Sequence, residues 1–584
     1  MKRYRFADIL FAAMLLVTVL LLLMNRAPFR LEFKEQISIF LLGADRIGWY
    51  LSNPAVVSSI AGDWLTQFFI KGWVGSVLSI LLLMTIVAGL ARLFKISEPG
   101  KTVCWMLLMI PVVIEGYFIT FPNYPVSATV GLAISVWSAC ALAHIKDSKY
   151  SCFVYGLSIP VMYVIAGGHA LTLALLLGFL KRKDGVKPLA CLLAGIAVML
   201  VCGKFYNLTL LQTLIWPIYP GYINPDVSLL LLLPWLILIM MLLTLFYDRF
   251  KDAGWTVGVY VTIISIICSV DWISGKSELE NTVKIGTLAY REQWKEVKKM
   301  ASQELSGGYG SFYWNLCNAR EGALADGLLK GRWGKSANVL FLSTTKGDPY
   351  FSMMYFTDAL LEMGDVSQAT DCALLAQTVM PGHYSTRMLR RLAQIAVVTA
   401  DYDVARKYLN ILMRTRNHKE WARNLLDCIE KDNLPEQYLT WRSRTVPVDR
   451  FFGQGDIPAS LSIIASQVPY NRTAIDYLLC SYLLDKKINT FISLYNEYYL
   501  GSLDQVVRVP DLYQEALLVN VDSKESLMET VQKYHLSQKV VDNYIDLLDA
   551  RSKSANPETL ITKDAVGTYW NYIMAVRFNN TEQQ

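Results

Sequence analysis

Histidine is scarce in this chain, five residues in 584, and the ten cysteines include no Cys-x-x-Cys pair. No zinc pattern can be drawn from that set, and His383, His418 and His535 are far apart without metal-ligand spacing; their expected roles are solvent-facing or capping. The phosphate-cradling glycine loop of a nucleotide-binding fold is also missing, as are a dinucleotide fingerprint, haem ligation and a serine nucleophile elbow. No cofactor is therefore expected. Net charge is +6 but spread along the chain, which suggests no nucleic-acid surface. Cys317, Cys372, Cys428 and Cys480 are scattered in the C-terminal half, where one or two disulfides and isolated thiols both remain open.

What the sequence has in abundance is apolar length. Mean hydropathy is +0.32 and 53% of residues are hydrophobic, with the excess in the first half. Apolar runs near 6–24, 73–93, 102–118, 126–145, 152–167, 170–180, 188–203, 228–247 and 254–271 approach the ~20 residues needed to cross ~30 Å of hydrocarbon. The expectation is a polytopic helical membrane domain over 1–272 with about nine spans; the short 170–180 run could also be half of a re-entrant pair. Alternate gaps carry Lys2, Arg3 and Arg5, then Arg92, Lys95 and Lys101, then Lys146 and Lys149, then Lys181, Arg182, Lys183 and Lys187, and last Arg249 and Lys251. The gaps between are almost free of Lys and Arg, with Lys204 the exception in 204–227. This is the positive-inside bias, so the N-terminus is placed in the cytoplasm. Residues 6–24 read as a retained anchor rather than a cleaved leader. The outer loop 25–72 departs from the charge rule and carries two amphipathic stretches, 31–51 and 55–70, suited to helices lying in the membrane plane.

From about Ser277 the period becomes that of amphipathic helices separated by polar turns. The clearest unit lies at 353–381. Gly364-Asp365 marks a turn, Ala369, Ala373 and Ala376 fall on one helix face, and Pro381 closes the second helix. These residues resemble the tetratricopeptide pattern, and Ala405, thirty-six residues after Ala369, resembles the next copy. Weaker copies begin at Tyr290 and Ile475. The resemblance implies an all-α chain in which an α-solenoid, TPR-like domain over 273–584 follows the membrane domain. It also implies a concave surface for a protein or peptide partner.

The ionisable residues near the apolar runs give the candidate site. Glu115, His169, Lys204 and Asp271 all fall near outer span ends, where a charge normally faces protein or a water-filled cavity. Around them lie Pro- and aromatic-rich segments at 117–125 and 216–222, which include Trp216 and Tyr219. One span, a loop with two juxtamembrane helices, paired spans and an exported helical tail resemble the layout of GT-C membrane glycosyltransferases. That resemblance implies a polyprenyl-phosphate donor and an acidic residue early in the first loop. Glu35 is the matching position, and Gln36 stands where a second carboxylate would be expected. Glu35, Glu115 and His169 are then the catalytic candidates, and Lys204, Trp216 and Tyr219 the candidates for holding lipid phosphate. Residues 312–326 and Glu35-Gln36 resemble segments of multipass membrane proteins of Bacteroidota with the same two-part layout. Together these imply a bacterial inner-membrane protein whose periplasmic helical domain captures an envelope protein or peptide. The alternative is a lipid-linked glycosyltransferase with an outward-facing cavity.

Overall fold

The computed structural model describes residues 13–93, 102–145, 150–181, 186–218, 276–303, 308–330, 337–342, 349–380, 383–446, 456–553 and 567–575, apart from single positions. All regular elements in these residues are helices. They form two compact units, one comprising residues 1–287 with the later segments 380–387 and 412–420, the other the remainder of 288–584.

In the first unit, α1 (Pro28–Gln36), α2 (Ala44–Leu51) and α3 (Val56–Thr66) occupy the loop expected to be amphipathic. The longer apolar helices are α4 (Gly72–Leu93), α5 (Thr102–Ile119), α6 (Val126–Ala143), α7 (Ser151–Ala166), α8 (Ala170–Leu180) and α9 (Val186–Phe205), followed by the short α10 (Leu210–Ile215). At 1.5 Å per residue, α4 is about 33 Å long, enough to cross a bilayer.

Four helical stretches among the described residues are long and apolar enough to cross a membrane: Gly72–Leu93, Val126–Ala143, Ser151–Leu180 and Val186–Phe205. That is fewer than the nine expected from the runs of apolar residues. The runs at 152–167 and 170–180 form one stretch, because α7 passes into α8 through a single 3-10 turn at Gly167–His169. The glycines there admit α10: a Cβ on Gly168 would lie 2.0 Å from the Leu214 carbonyl oxygen, and the Gly168 amide donates to Trp216 O at 2.8 Å. The run at 102–118 does form α5, whose described apolar part, Met109–Ile119, is short. Leu16–Arg26 is a further short apolar helix, and 228–247 and 254–271 lie outside the described residues save for isolated positions. Small residues let the helices approach closely. Gly195 of α9 sits where a Cβ would meet Gly156 O of α7 at 2.4 Å.

Helix α11 (Lys276–Tyr290) lies mostly in the first unit, and the second unit holds most of the residues of α12 (Trp294–Gln303), α13 (Gly308–Arg320), α14 (Leu324–Leu328), α15 (Pro349–Met363), α16 (Val366–Val379), α17 (Thr386–Val398), α18 (Tyr402–Met413), α19 (Lys419–Glu430), α20 (Glu436–Arg444), α21 (Ile457–Gln467), α22 (Arg472–Leu484) and α23 (Ile488–Tyr498). One turn recurs. Glu292, Gly322, Gly364, Ala400, Asp432 and Lys486 all have φ between 50° and 84°. In each case the following amide donates to the carbonyl five residues back, at 2.8–3.0 Å. This left-handed cap satisfies the last carbonyls of one helix and starts the next. At two of these turns an aspartate caps the second helix, Asp365 to the Gln368 amide and Asp401 to the Val404 amide. Ala369, Ala376 and Ala405 are fully buried; Pro381 lies outside the described residues. Cys317, Cys372, Cys428 and Cys480 are free thiols, and residues 312–326 form the α13–α14 hairpin, where Trp314 Nε1 donates to Gly327 O at 3.0 Å.

Candidate functional site

Helix α1 is almost wholly buried although it carries four charged side chains. A buried charge needs a partner, and each has one. Arg30 Nε lies 3.2 Å from Glu280 Oε2, and Glu32 accepts from the Gly72 amide at 2.9 Å. Lys34 Nζ donates to Phe121 O at 2.7 Å and also to Tyr124 O. Burial pulls the Lys34 amine down to about 7, against the opposing attraction of Glu115.

Glu35 is held by residues some 380 positions away in sequence. Its Oε1 accepts from His418 Nε2 at 2.9 Å and from Asn417 Nδ2 at 3.0 Å, and its backbone carbonyl accepts from Thr386 Oγ1 at 2.9 Å. Gln36 explains why an amide stands where a second carboxylate was expected. Its Nε2 donates to Thr287 Oγ1 at 2.9 Å while its Oε1 accepts from Arg387 Nη1 at 3.1 Å. An amide can give and take at once; an ionised carboxylate only accepts.

Beside α1 lies a cavity of about 50 Å³, lined from α1, α2, α3, the 122–127 segment and Trp216-Pro217. Arg46 Nη2 and the Tyr50 hydroxyl both donate to Asp63 Oδ2, at 3.0 and 2.6 Å. The guanidinium also lies over the Trp49 ring, 4.1 Å from its centroid, a contact that holds Arg46 flat. Asp63 Oδ1 has no hydrogen-bond partner among the described residues. Burial raises the Asp63 carboxyl, with Arg46 and Tyr50 pulling the other way. A second, smaller cavity of about 10 Å³ adjoins it, lined by Glu35, Gln67, Arg416 and Asn417 among others. Ser38 and Asp63 line both.

Among the residues singled out from sequence, Glu35 and Trp216 lie at these cavities. Trp216 is fixed by a bond from Nε1 to Pro54 O at 2.8 Å. Glu115 is fully buried one side chain away, accepting from Tyr124 OH at 2.8 Å and Thr129 Oγ1 at 2.6 Å. His169 hydrogen-bonds the Ala128 backbone and is not among the lining residues. Lys204 is exposed near the end of α9 and is not brought to either cavity. Tyr219 and Asp271 lie outside the described residues.

Lys34, Arg46, Trp49, Asp63, Asn123 and His418 are the functional candidates that the sequence reading did not select. The amphipathic pattern of the first loop marks Arg46 and Trp49. His418 was expected at the surface or at a cap, and instead is 6% exposed against Glu35; no local signal announces it. Among the described residues no group of three His, Cys, Asp or Glu could hold a metal ion.

Among the described residues, fold and site together give an all-helical protein with apolar, membrane-length helices and a polar cavity built from the short helices that precede the first of them, the 122–127 segment and Trp216-Pro217. The chain belongs to a family of unknown function (DUF6057), whose profile matches residues 2–575. No curated protein and no solved structure matches it.

Proposed function

We propose that the protein is a transferase of the bacterial inner membrane, with the cavity and the helical tail on the periplasmic side, acting on a polyprenyl-phosphate-linked sugar. The observation that carries this is Asp63. It is a carboxylate facing two adjoining cavities, with one oxygen tied to Arg46 and Tyr50 and the other unengaged. Burial, which raises the Asp63 carboxyl, makes its carboxylate a stronger base toward a hydroxyl brought to the free oxygen. In the reaction, an acceptor hydroxyl gives its proton to Asp63 Oδ1 as its oxygen bonds to the anomeric carbon. The bond from that carbon to the phosphate oxygen breaks, and the electron pair leaves on the lipid phosphate. Arg46 and Lys34 are the cations at hand for that charge. The GT-C-like layout supports the same reading, with the base moved from Glu35, which is committed to His418 and Asn417, to Asp63. Asp63→Asn preserves shape and the Arg46 and Tyr50 contacts, so it should melt near the parent yet lose at least about 10²-fold in transfer. Proteoliposomes supplied with a polyprenyl-phosphate sugar are the assay; undiminished product in this variant would rule the reading out.

A second reading keeps the helical tail as a TPR-like peptide-binding surface. A groove of about 790 Å³ in the second unit, lined by α16, α17, α18 and α20 residues, exposes Leu374 and Val404. A photo-crosslinking residue at Val404 should then capture an envelope polypeptide in cells, and Leu374→Asp should abolish the adduct. An adduct that persists unchanged would argue against the groove.

A further inference from the structure

Helices α2 and α3 are inside out for a protein in water. On α2, Arg46 and Tyr50 are buried and bonded to Asp63, while Ile47 and Leu51 are exposed, Leu51 at 63%. On α3, Ser58, Ser59 and Thr66 are buried, and Val57 and Trp64 are exposed. Asp63 is the single charged residue between Ile47 and Ile70, and it is turned to Arg46. An exposed apolar face of this kind marks a contact with lipid or with another protein. A protein interface ends in a polar rim. Here the apolar surface instead leads through Ile70 into membrane-length α4, where Trp73, Val77 and Leu81 are exposed at every fourth position.

Contacts with α6 set the depth. A Cβ on Gly62 would lie 2.4 Å from the Ser127 amide nitrogen, and one on Gly131 would lie 3.6 Å from Ser58 Oγ. Helix α3 therefore runs against the direction of α6, with its start beside Gly131. Five residues at 1.5 Å each put that start about 7–8 Å past Val126, the first residue of a helix long enough to span the bilayer. With the 3-10 turn that follows it, α3 forms an apolar stretch, Val56–Ile70, too short to cross.

Non-helical backbone is tolerated at membrane depth only where protein satisfies it, and the turn between α2 and α3 meets that condition. The Ser52 amide donates to Gly48 O at 2.9 Å, the Asn53 amide to Tyr50 O at 3.3 Å, and the Ala55 amide to Tyr163 O of α7 at 3.2 Å. Pro54 has no amide N–H, and its carbonyl accepts from Trp216 Nε1 at 2.8 Å. The side chains of Ser52 and Asn53 donate back to Gly48 O and Trp49 O.

We propose that α2 and α3 form a re-entrant hairpin whose tip, residues 51–57, sits among the acyl chains of the bilayer. Its outer face contacts lipid, and its inner face walls the cavity that holds Asp63. Helices lying flat in the membrane plane would instead keep one polar face in water. The hairpin depends on neither functional reading above.

The test places one small fluorescent amino acid at position 51, 57 or 64, or at 45 as the control, in the full chain reconstituted in phosphatidylcholine vesicles. The quenchers are phosphatidylcholine brominated at mid-chain, phosphatidylcholine brominated near the headgroup, and aqueous iodide. Mid-chain bromine should quench positions 51 and 57 several-fold more than position 45, and position 64 should respond more to bromine near the headgroup. Iodide should reach position 45 and spare 51 and 57. One shallow depth for both 57 and 64 would lay the hairpin flat and overturn the proposal. Iodide access at 51 and 57 would remove the lipid contact. Protection there from every quencher would put a protein or a second copy of this chain on the face instead, which also overturns it.

Discussion

Glu35 was the residue the sequence put forward as a base, and the structure gives its carboxylate a different occupation. Glu35 Oε1 takes two hydrogen bonds, from His418 and Asn417, in a place where both side chains of the His–Glu pair are under 10% exposed. Removing one member of such a pair leaves the other buried and unpaired, which costs about 3–5 kcal/mol. Glu35→Leu should therefore destabilise the protein by that order, and His418→Leu by a similar amount. The double variant should cost clearly less than the sum, because each single change already forfeits the shared bond. Denaturant unfolding of the four proteins reads the coupling directly. Additive costs to within a few tenths of a kcal/mol would mean that the pair does not act as one. Nothing local in the sequence could have shown it, since the partners are 383 positions apart and a lone histidine in a helical turn looks like a cap. His535, which does end its helix in the left-handed conformation at φ 50°, fits that capping expectation.

At the scale of the element, the sequence was most legible where the cause was local. The turn at Gly364 was recognisable because a glycine followed by an aspartate is a short-range device, and Ala400 with Asp401 builds the same turn. The membrane helices were harder. Apolarity marked 152–167 and 170–180 correctly, but whether the chain turns back or carries on depends on Gly167 and Gly168 meeting Trp216 and Leu214, a contact with no local trace. The two hairpin turns make opposite predictions. Gly364 sits at φ 84°, and a Cβ there would lie 2.3 Å from the Arg444 carbonyl oxygen, so Gly364→Ala combines strain with a backbone clash and should cost more than about 2 kcal/mol. Ala400 already holds the left-handed conformation at φ 61° with a side chain that dislikes it. Ala400→Gly should be stabilising by about 0.5–1 kcal/mol. Melting of both variants against the parent checks the pair; a stabilising Gly364→Ala would refute the turn assignment.

For the whole molecule, composition divides the chain near residue 272, whereas the first compact unit runs to residue 287 and does not end there. The first unit recruits residues 380–387 and 412–420. From them come Ser385, Thr386 and Arg387, which bind the end of α1, and Asn417 and His418, which bind Glu35. A chain stopped after residue 287 loses all five. Glu35 and the Gln36 amide would then face a low-dielectric interior with unmet hydrogen bonds, each worth about 1–3 kcal/mol when buried, and the wall of the smaller cavity formed by Arg416 and Asn417 would be gone. Such a truncation should melt at least about 10 °C below the full chain in detergent, by the usual conversion of several kcal/mol into a transition temperature for a unit of this size. Supplying a peptide that spans 380–420 should not restore it fully, because an untethered peptide loses translational and rotational freedom on docking that the intact chain does not. A fragment of 1–287 that melts with the full chain would show that the membrane unit is complete without its returning segments, and Glu35 would then be open again as a base.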